Sequence, residues 1–195
     1  MKTKTVLFII FFVFSAIIFA APNDELLYFA STGNIEGVKE AHKRGADVNF
    51  KNIYNESALL YATWRSDIEI SNFLISKGAD VNVKSKNGIT PLIYATFRGN
   101  ADIVNLLVNK GAEINVKGNN DEIPLIYAAW RDDTEIIKIL VSKGADVNVK
   151  TAENCSPLIY ACWRGNFEIV KLLVEKGAKI NIKDNTGRTP LMYAE

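Results

Sequence analysis

The sequence predicts an all-α protein, a solenoid of stacked helix-turn-helix units joined by β-hairpin-like loops. Two observations carry that prediction. The core Gly-Ala-acid-aliphatic-Asn occurs at Gly45 to Asn49, Gly78 to Asn82, Gly111 to Asn115 and Gly144 to Asn148, and again at Gly177 to Asn181 with Lys179 in place of the acid. Returns at one spacing of 33 residues mark supersecondary units stacked in a row, not a single central core. Within each period, two short segments of helical apolar periodicity are bounded by capping residues and glycines, most clearly between Thr90 and Lys117.

Taken in order, residues 1–20 differ from everything after them. Lys2 and Lys4 precede an apolar run through Val6, Phe11 and Phe19, which ends in Ala20 and Ala21. This is the layout of a secretory signal peptide, with cleavage expected after Ala20; an uncleaved signal anchor is the alternative. The expected location is therefore outside the cytoplasm, periplasmic in a diderm bacterium and otherwise secreted. No membrane attachment is expected after cleavage.

The repeat region, residues 23–195, reads as an N-terminal variant repeat, four full 33-residue repeats and a partial sixth. In the clearest copy Thr90 caps a helix through its hydroxyl and Pro91 occupies the first helical position, where no amide hydrogen is needed. The helix runs to about Arg98, and Gly99 suits the left-handed conformation that ends it. A second helix begins near Asp102, whose charge suits the positive end of the dipole, and carries Ile103, Val104, Leu106, Leu107 and Val108 to Gly111. Isolated helices shorter than ~12–15 residues are marginal in water, so stacking must supply the stability. Thr189 to Ala194 is an interior-type sequence that stops before a second helix. It predicts either a longer product or an exposed apolar end able to associate; otherwise a monomer is expected.

Composition narrows the function. The 195 residues are 48% hydrophobic and 23% charged, as in folded proteins, and the formal net charge is +1. Removing Lys2 and Lys4 from 23 basic residues leaves 21 against 22 acidic ones. Such a balance gives no basic stripe for displacing phosphate counterions, which argues against nucleic acid. Cys155 and Cys162 have neither a zinc-ligand spacing nor a disulfide framework; Cys162 takes the slot of Ala129 and reads as core, while Cys155 sits in a turn expected to be exposed.

Thr90-Pro91-Leu92, Ala95, Gly99, Ile103-Val104, Leu106-Leu107 and Gly111-Ala112-Glu113-Ile114-Asn115, at this period, resemble the ankyrin repeat. The resemblance spans essentially everything after residue 23 and implies a protein-binding solenoid with a concave binding face. It departs from the family in the first helix: the histidine of the signature is replaced by Leu60, Ile93, Ile126, Ile159 and Met192, so apolar packing is expected there, and the next residue is tyrosine in Tyr61, Tyr94, Tyr127, Tyr160 and Tyr193, with Tyr28 equivalent in the first copy. Helix starts also vary, since Ser57 and Ser156 keep a hydroxyl and Ile123 does not. Ser66 and Asp132 replace the helix-ending glycine and predict strained left-handed turns.

Catalysis is not expected, and neither a cofactor nor a metal is implied. His42 is the single histidine, on a second helix; Glu36, Glu69, Asp102, Glu135 and Glu168 each begin a second helix, where the dipole explains them. Lys51, Lys84, Lys117, Lys150 and Lys183 form a loop column whose default role is solvation. The candidate partner-binding residues are the column Trp64, Arg65, Phe97, Arg98, Trp130, Arg131, Trp163 and Arg164. At ~100° per residue, Leu92, Ala95 and Thr96 share one side of the first helix and Tyr94, Phe97 and Arg98 the other. Trp, Tyr and Arg are also the side chains that most often dominate binding energy. Packing of ring on ring with arginine cover is the competing role for this column, and the preferred one for Tyr28, Tyr61, Tyr94, Tyr127, Tyr160 and Tyr193. The sequence thus points to an exported, non-enzymatic module for a protein or peptide partner. A carbohydrate or cell-envelope polymer binder, or a regulatory helper of an enzyme in the same compartment, is the alternative.

Overall fold

The computed structural model describes residues 21–194, so the signal segment predicted for residues 1–20 lies outside the described residues. Among the described residues ten α-helices follow one another in pairs: α1 (Pro22–Thr32) with α2 (Ile35–Lys43), α3 (Ala58–Trp64) with α4 (Ile68–Ser76), α5 (Pro91–Arg98) with α6 (Ala101–Asn109), α7 (Pro124–Arg131) with α8 (Thr134–Ser142), and α9 (Pro157–Arg164) with α10 (Phe167–Glu175). A 3-10 turn, Pro190–Tyr193, comes after them. The described residues contain no strand. The first helices α1, α3, α5, α7 and α9 pack in sequence on one another, and the second helices α2, α4, α6, α8 and α10 do the same.

Local chemistry sets the helix ends. The hydroxyls of Ser57, Thr90 and Ser156 accept from the backbone N–H three residues on, whereas α7, led by Ile123, has no side-chain cap, as its sequence implies. The second helices have caps that the acid column did not reveal. Asn34, Asp67, Asn100, Asp133 and Asn166 each accept a hydrogen bond from the N–H of the third helical residue, at 2.9–3.1 Å. Ser66 and Asp132 do adopt positive φ, 60° and 63°, in the place glycine fills elsewhere.

One contiguous core runs the length of the stack, from Leu26 and Ala30 through Leu92, Ala95, Ile103 and Leu107 to Leu173 and Ala178. Cys162 is buried within it, and Cys155 is half-buried instead of exposed, lining a cleft with Ile159 and Tyr160 of the following helix. In the slot where the family carries histidine, Leu60, Ile93, Ile126 and Ile159 are buried, so apolar packing does replace the polar contact; Met192 is exposed.

The recurring asparagine is a cross-link between units. Asn49, Asn82, Asn115 and Asn148 each donate through Nδ2 to the carbonyl of the next unit's glycine, Gly78, Gly111, Gly144 and Gly177, at 3.0–3.1 Å. Each also accepts through Oδ1 from the N–H two residues beyond that glycine, at 2.7–2.9 Å. Asn23 supplies the equivalent acceptor to Asp47 N–H at 2.8 Å, so the first unit is closed by a residue of α1.

Among the described residues five loops, or fingers, project, one after each second helix: residues 50–56, 83–89, 116–122, 149–155 and 182–188. Each is pinched by two backbone bonds, 52 N–H to 56 C=O and 55 N–H to 52 C=O and their equivalents, which makes it hairpin-like without a strand.

Candidate functional site

The predicted column lies along the first helices. In α5, Leu92, Ala95 and Thr96 are buried, Tyr94 and Phe97 half-buried and Arg98 exposed, which matches the angular argument. Trp64, Trp130 and Trp163 retain 43%, 43% and 54% of their exposure, so a large apolar ring surface faces solvent in three places. Phe97 stacks parallel to Trp64 with ring centroids 6.0 Å apart, and Trp64 meets Tyr94, and Phe97 meets Tyr127, edge to face at 5.2 Å. Among the described residues no ring contact continues from Phe97 to Trp130 or from Trp130 to Trp163.

The arginines divide from the aromatics. Arg65 Nη1 donates to Ser31 C=O at 3.3 Å, Arg131 Nη1 to Phe97 C=O at 3.1 Å, and Arg164 to Trp130 C=O through Nε at 2.8 Å and Nη2 at 2.6 Å. These carbonyls lie at the end of the preceding first helix, where acceptors lack a helical partner and a cation is favoured. The residue that terminates the preceding helix sets the arginine's path. After Gly33 and Gly99 the guanidiniums of Arg65 and Arg131 lie against the glycine, and a Cβ there would come within 2.9 and 2.4 Å of them. Where Ser66 and Asp132 fill that space, the arginine crosses a ring instead. Arg98 lies over Trp64 at 5.2 Å, and Arg164 over Trp130 at 5.9 Å and Trp163 at 4.7 Å. All four arginines therefore reach the preceding unit, three through a carbonyl and Arg98 over a ring, as well as edging the surface.

Two tyrosines bond to the finger that precedes them. Tyr61 Oη donates to Glu56 at 2.7 Å and accepts from Asn52 Nδ2 at 3.1 Å, and Tyr193 Oη donates to Asp184. Burial, and then the bond to Glu56, pushes the Tyr61 phenol up to about 12. Burial first, then Glu56 and Glu122, raises Tyr94, and burial first, then Glu122, raises Tyr127. The Tyr193 hydroxyl, followed by that of Thr186, holds the Asp184 carboxyl down at about 2.

Clefts open along the same side. One, about 630 Å³, has a floor of Phe97, Tyr127 and Trp130, and its walls include Asn120 and Asp121 from the third finger and Glu153 from the fourth. Smaller ones of about 170 Å³ and 230 Å³ lie beside Trp64 and Tyr94, and between Trp130, Trp163 and Tyr193. The aromatic column and the fingers thus bound one set of grooves.

Reactive groups are scattered. His42 sits on α2 with its ring edge against Phe73 at 5.8 Å, and its Nδ1 is buried without a hydrogen-bond partner. Glu36, Glu69, Asp102, Glu135 and Glu168 are exposed in the first turns of the second helices. Among the described residues, no His, Cys, Asp and Glu side chains group so as to hold a metal ion, and no helix is long and apolar enough to cross a membrane.

Two family models match the chain. One, described as ankyrin repeats (3 copies), covers residues 81–151 and 125–195; the other, ankyrin repeats (many copies), covers residues 26–75. No curated protein matches it. Ankyrin repeats generally mediate protein–protein interaction and are typically non-enzymatic. With the 33-residue period, the paired helices and the asparagine cross-links, these matches show that the chain belongs to the ankyrin-repeat family.

Proposed function

We propose that this chain is an exported interaction module that binds a protein or peptide partner on the face carrying Trp64, Phe97, Trp130 and Trp163, edged by Arg65, Arg98, Arg131 and Arg164. The observation that carries the reading is the exposure of three tryptophans in register beside the clefts. Exposed tryptophan ring is costly to leave in water, and its removal on binding supplies the hot-spot energy of an interface. Arg164 covers one face of both Trp130 and Trp163, which leaves less open ring for a sugar to stack on and favours a protein partner over a polymer of saccharides. Export rests on the layout of residues 1–20, and would place the partner in the periplasm or outside the cell.

Crosslinking and mass spectrometry on the exported chain would identify the partner, and the intact mass would show cleavage after Ala20. Trp130→Ala and Trp163→Ala then separate binding from packing. Each should weaken the complex at least about tenfold while unfolding costs stay below ~2 kcal/mol. A loss of ~3–5 kcal/mol in stability with binding unchanged would assign the rings to packing alone.

A further inference from the structure

The fingers form a ladder that is broken in one place. Lys86 N–H bonds Tyr54 C=O at 2.9 Å, Asn119 N–H bonds Asn87 C=O at 3.0 Å, and Asn185 N–H bonds Glu153 C=O at 3.0 Å. By the same register Ala152 N–H should bond Asn120 C=O, yet among the described residues no backbone bond joins the third finger to the fourth.

The residues on both sides of the gap differ from their equivalents. Asn119 and Asn185 reinforce their junctions by donating through Nδ2 to the preceding finger, to Lys86 C=O at 3.1 Å and Ala152 C=O at 3.0 Å. Ala152 occupies that slot in the fourth finger and has no amide to donate; Lys86 has none either and keeps its backbone bond, so the fourth finger lacks the reinforcement of the third and fifth without that alone opening the gap. The third finger is also built differently. Asn52, Ser85, Thr151 and Asp184 each cap their own turn with a side-chain oxygen, but Gly118 stands in this slot. Glu122 substitutes from the far side of the finger, its Oε2 accepting from Asn120 N–H at 2.8 Å, and a Cβ on residue 118 would lie 2.4 Å from that oxygen.

The 630 Å³ cleft occupies this gap. Tyr160 joins its aromatic floor, and its lining holds two carboxylates and no cationic side chain. Lys117 pairs with Asp121 at 2.6 Å, whereas Glu153 makes no ion pair among the described residues. The cleft therefore offers a backbone donor and acceptor left out of the ladder, a floor of electron-rich rings and an unneutralised acid at its edge.

Resting on the binding role proposed above, we infer that the gap between the third and fourth fingers receives an extended segment of the partner protein, with a lysine or arginine side chain over Tyr127 and against the face of Trp130 that Arg164 leaves open. Ala152 N–H and Asn120 C=O pair with the segment's backbone, as an added strand pairs with an exposed edge. Glu153 and the ring faces hold the cation.

Selection of random dodecapeptides, displayed on phage, against the purified chain tests this without knowledge of the natural partner. Enriched peptides should carry Lys or Arg more often than the starting library. Their affinity should fall about two- to fivefold in Glu153→Gln, about tenfold or more in Glu153→Lys, and as salt rises. Glu135→Gln, on the outer helix α8, should leave it unchanged. Enrichment of acidic or uncharged peptides, or of basic peptides indifferent to Glu153→Lys, overturns the inference. If such peptides are still lost in Trp130→Ala, the aromatic face survives as the binding surface. Failure to enrich any peptide beyond an unrelated control protein overturns both.

Discussion

Asn115→Ala isolates one junction of the solenoid. The side chain makes two hydrogen bonds to the next unit, Nδ2 to Gly144 C=O at 3.1 Å and Oδ1 from Asp146 N–H at 2.9 Å. At ~0.5–1.5 kcal/mol net for each, their loss should cost roughly 1–3 kcal/mol. In urea, with a slope of about 2 kcal/mol per molar, the unfolding midpoint read by circular dichroism should drop by roughly 1 M. Asn115→Asp keeps the acceptor but sets a carboxylate against the Gly144 carbonyl, so it should lose at least the donor's share. Asn181 is the same residue in the same slot, exposed and without these bonds among the described residues, and Asn181→Ala should cost less than about 0.5 kcal/mol. Stability in a solenoid is a sum of unit and junction terms, so the contrast reads one junction directly. Equal midpoint shifts for Asn115→Ala and Asn181→Ala would refute the cross-link as the reason for the repeated asparagine.

Particular contacts lead to two more expected outcomes. Gly99 and Gly165 share a φ of 72°, but a Cβ at 99 would meet Arg131 at 2.4 Å while one at 165 meets nothing within 4 Å. Gly165→Ala should cost about 1 kcal/mol for its left-handed backbone, and Gly99→Ala clearly more, because Arg131 must leave the Phe97 carbonyl; both are measured by thermal unfolding. The Asp184 carboxyl, held at about 2 chiefly by the Tyr193 hydroxyl, is depressed relative to an ordinary aspartate. Its stabilisation is therefore present above about pH 4 and lost as pH falls towards 2. Carbon-detected NMR titration should show Asp184 rising towards the ordinary range in Tyr193→Phe, and an unchanged value would remove the hydroxyl as the cause.

Whatever one unit determines by itself was legible in the sequence. The period, the helix pair, the missing hydroxyl at Ile123, the left-handed Ser66 and Asp132, and the burial of Leu60, Ile93, Ile126 and Ile159 all depend on residues within a few positions. Contacts between units were less legible, because the partner lies about thirty residues away and no local pattern names it. Asn49 and its equivalents were visible as a column, but not as donors to the next glycine. The arginines looked like companions of the tryptophans, whereas Arg65 and Arg131 reach back to Ser31 and Phe97. Asp102 and the other acids drew attention at the second-helix starts, although the capping oxygens belong to the Asn or Asp two residues earlier. The gap between fingers has a sequence signal, Gly118 and Ala152 in polar slots, that gains meaning only once the ladder is seen.

Amide hydrogen exchange of the chain with and without its bound partner tests the central claim most directly. Protection should appear in residues 116–131 and 149–164, which hold the third and fourth fingers with α7 and α9. The second helices α8 and α10 should exchange as they do in the free chain. Protection confined to α8 and α10, with the fingers and first helices unchanged, would contradict the account.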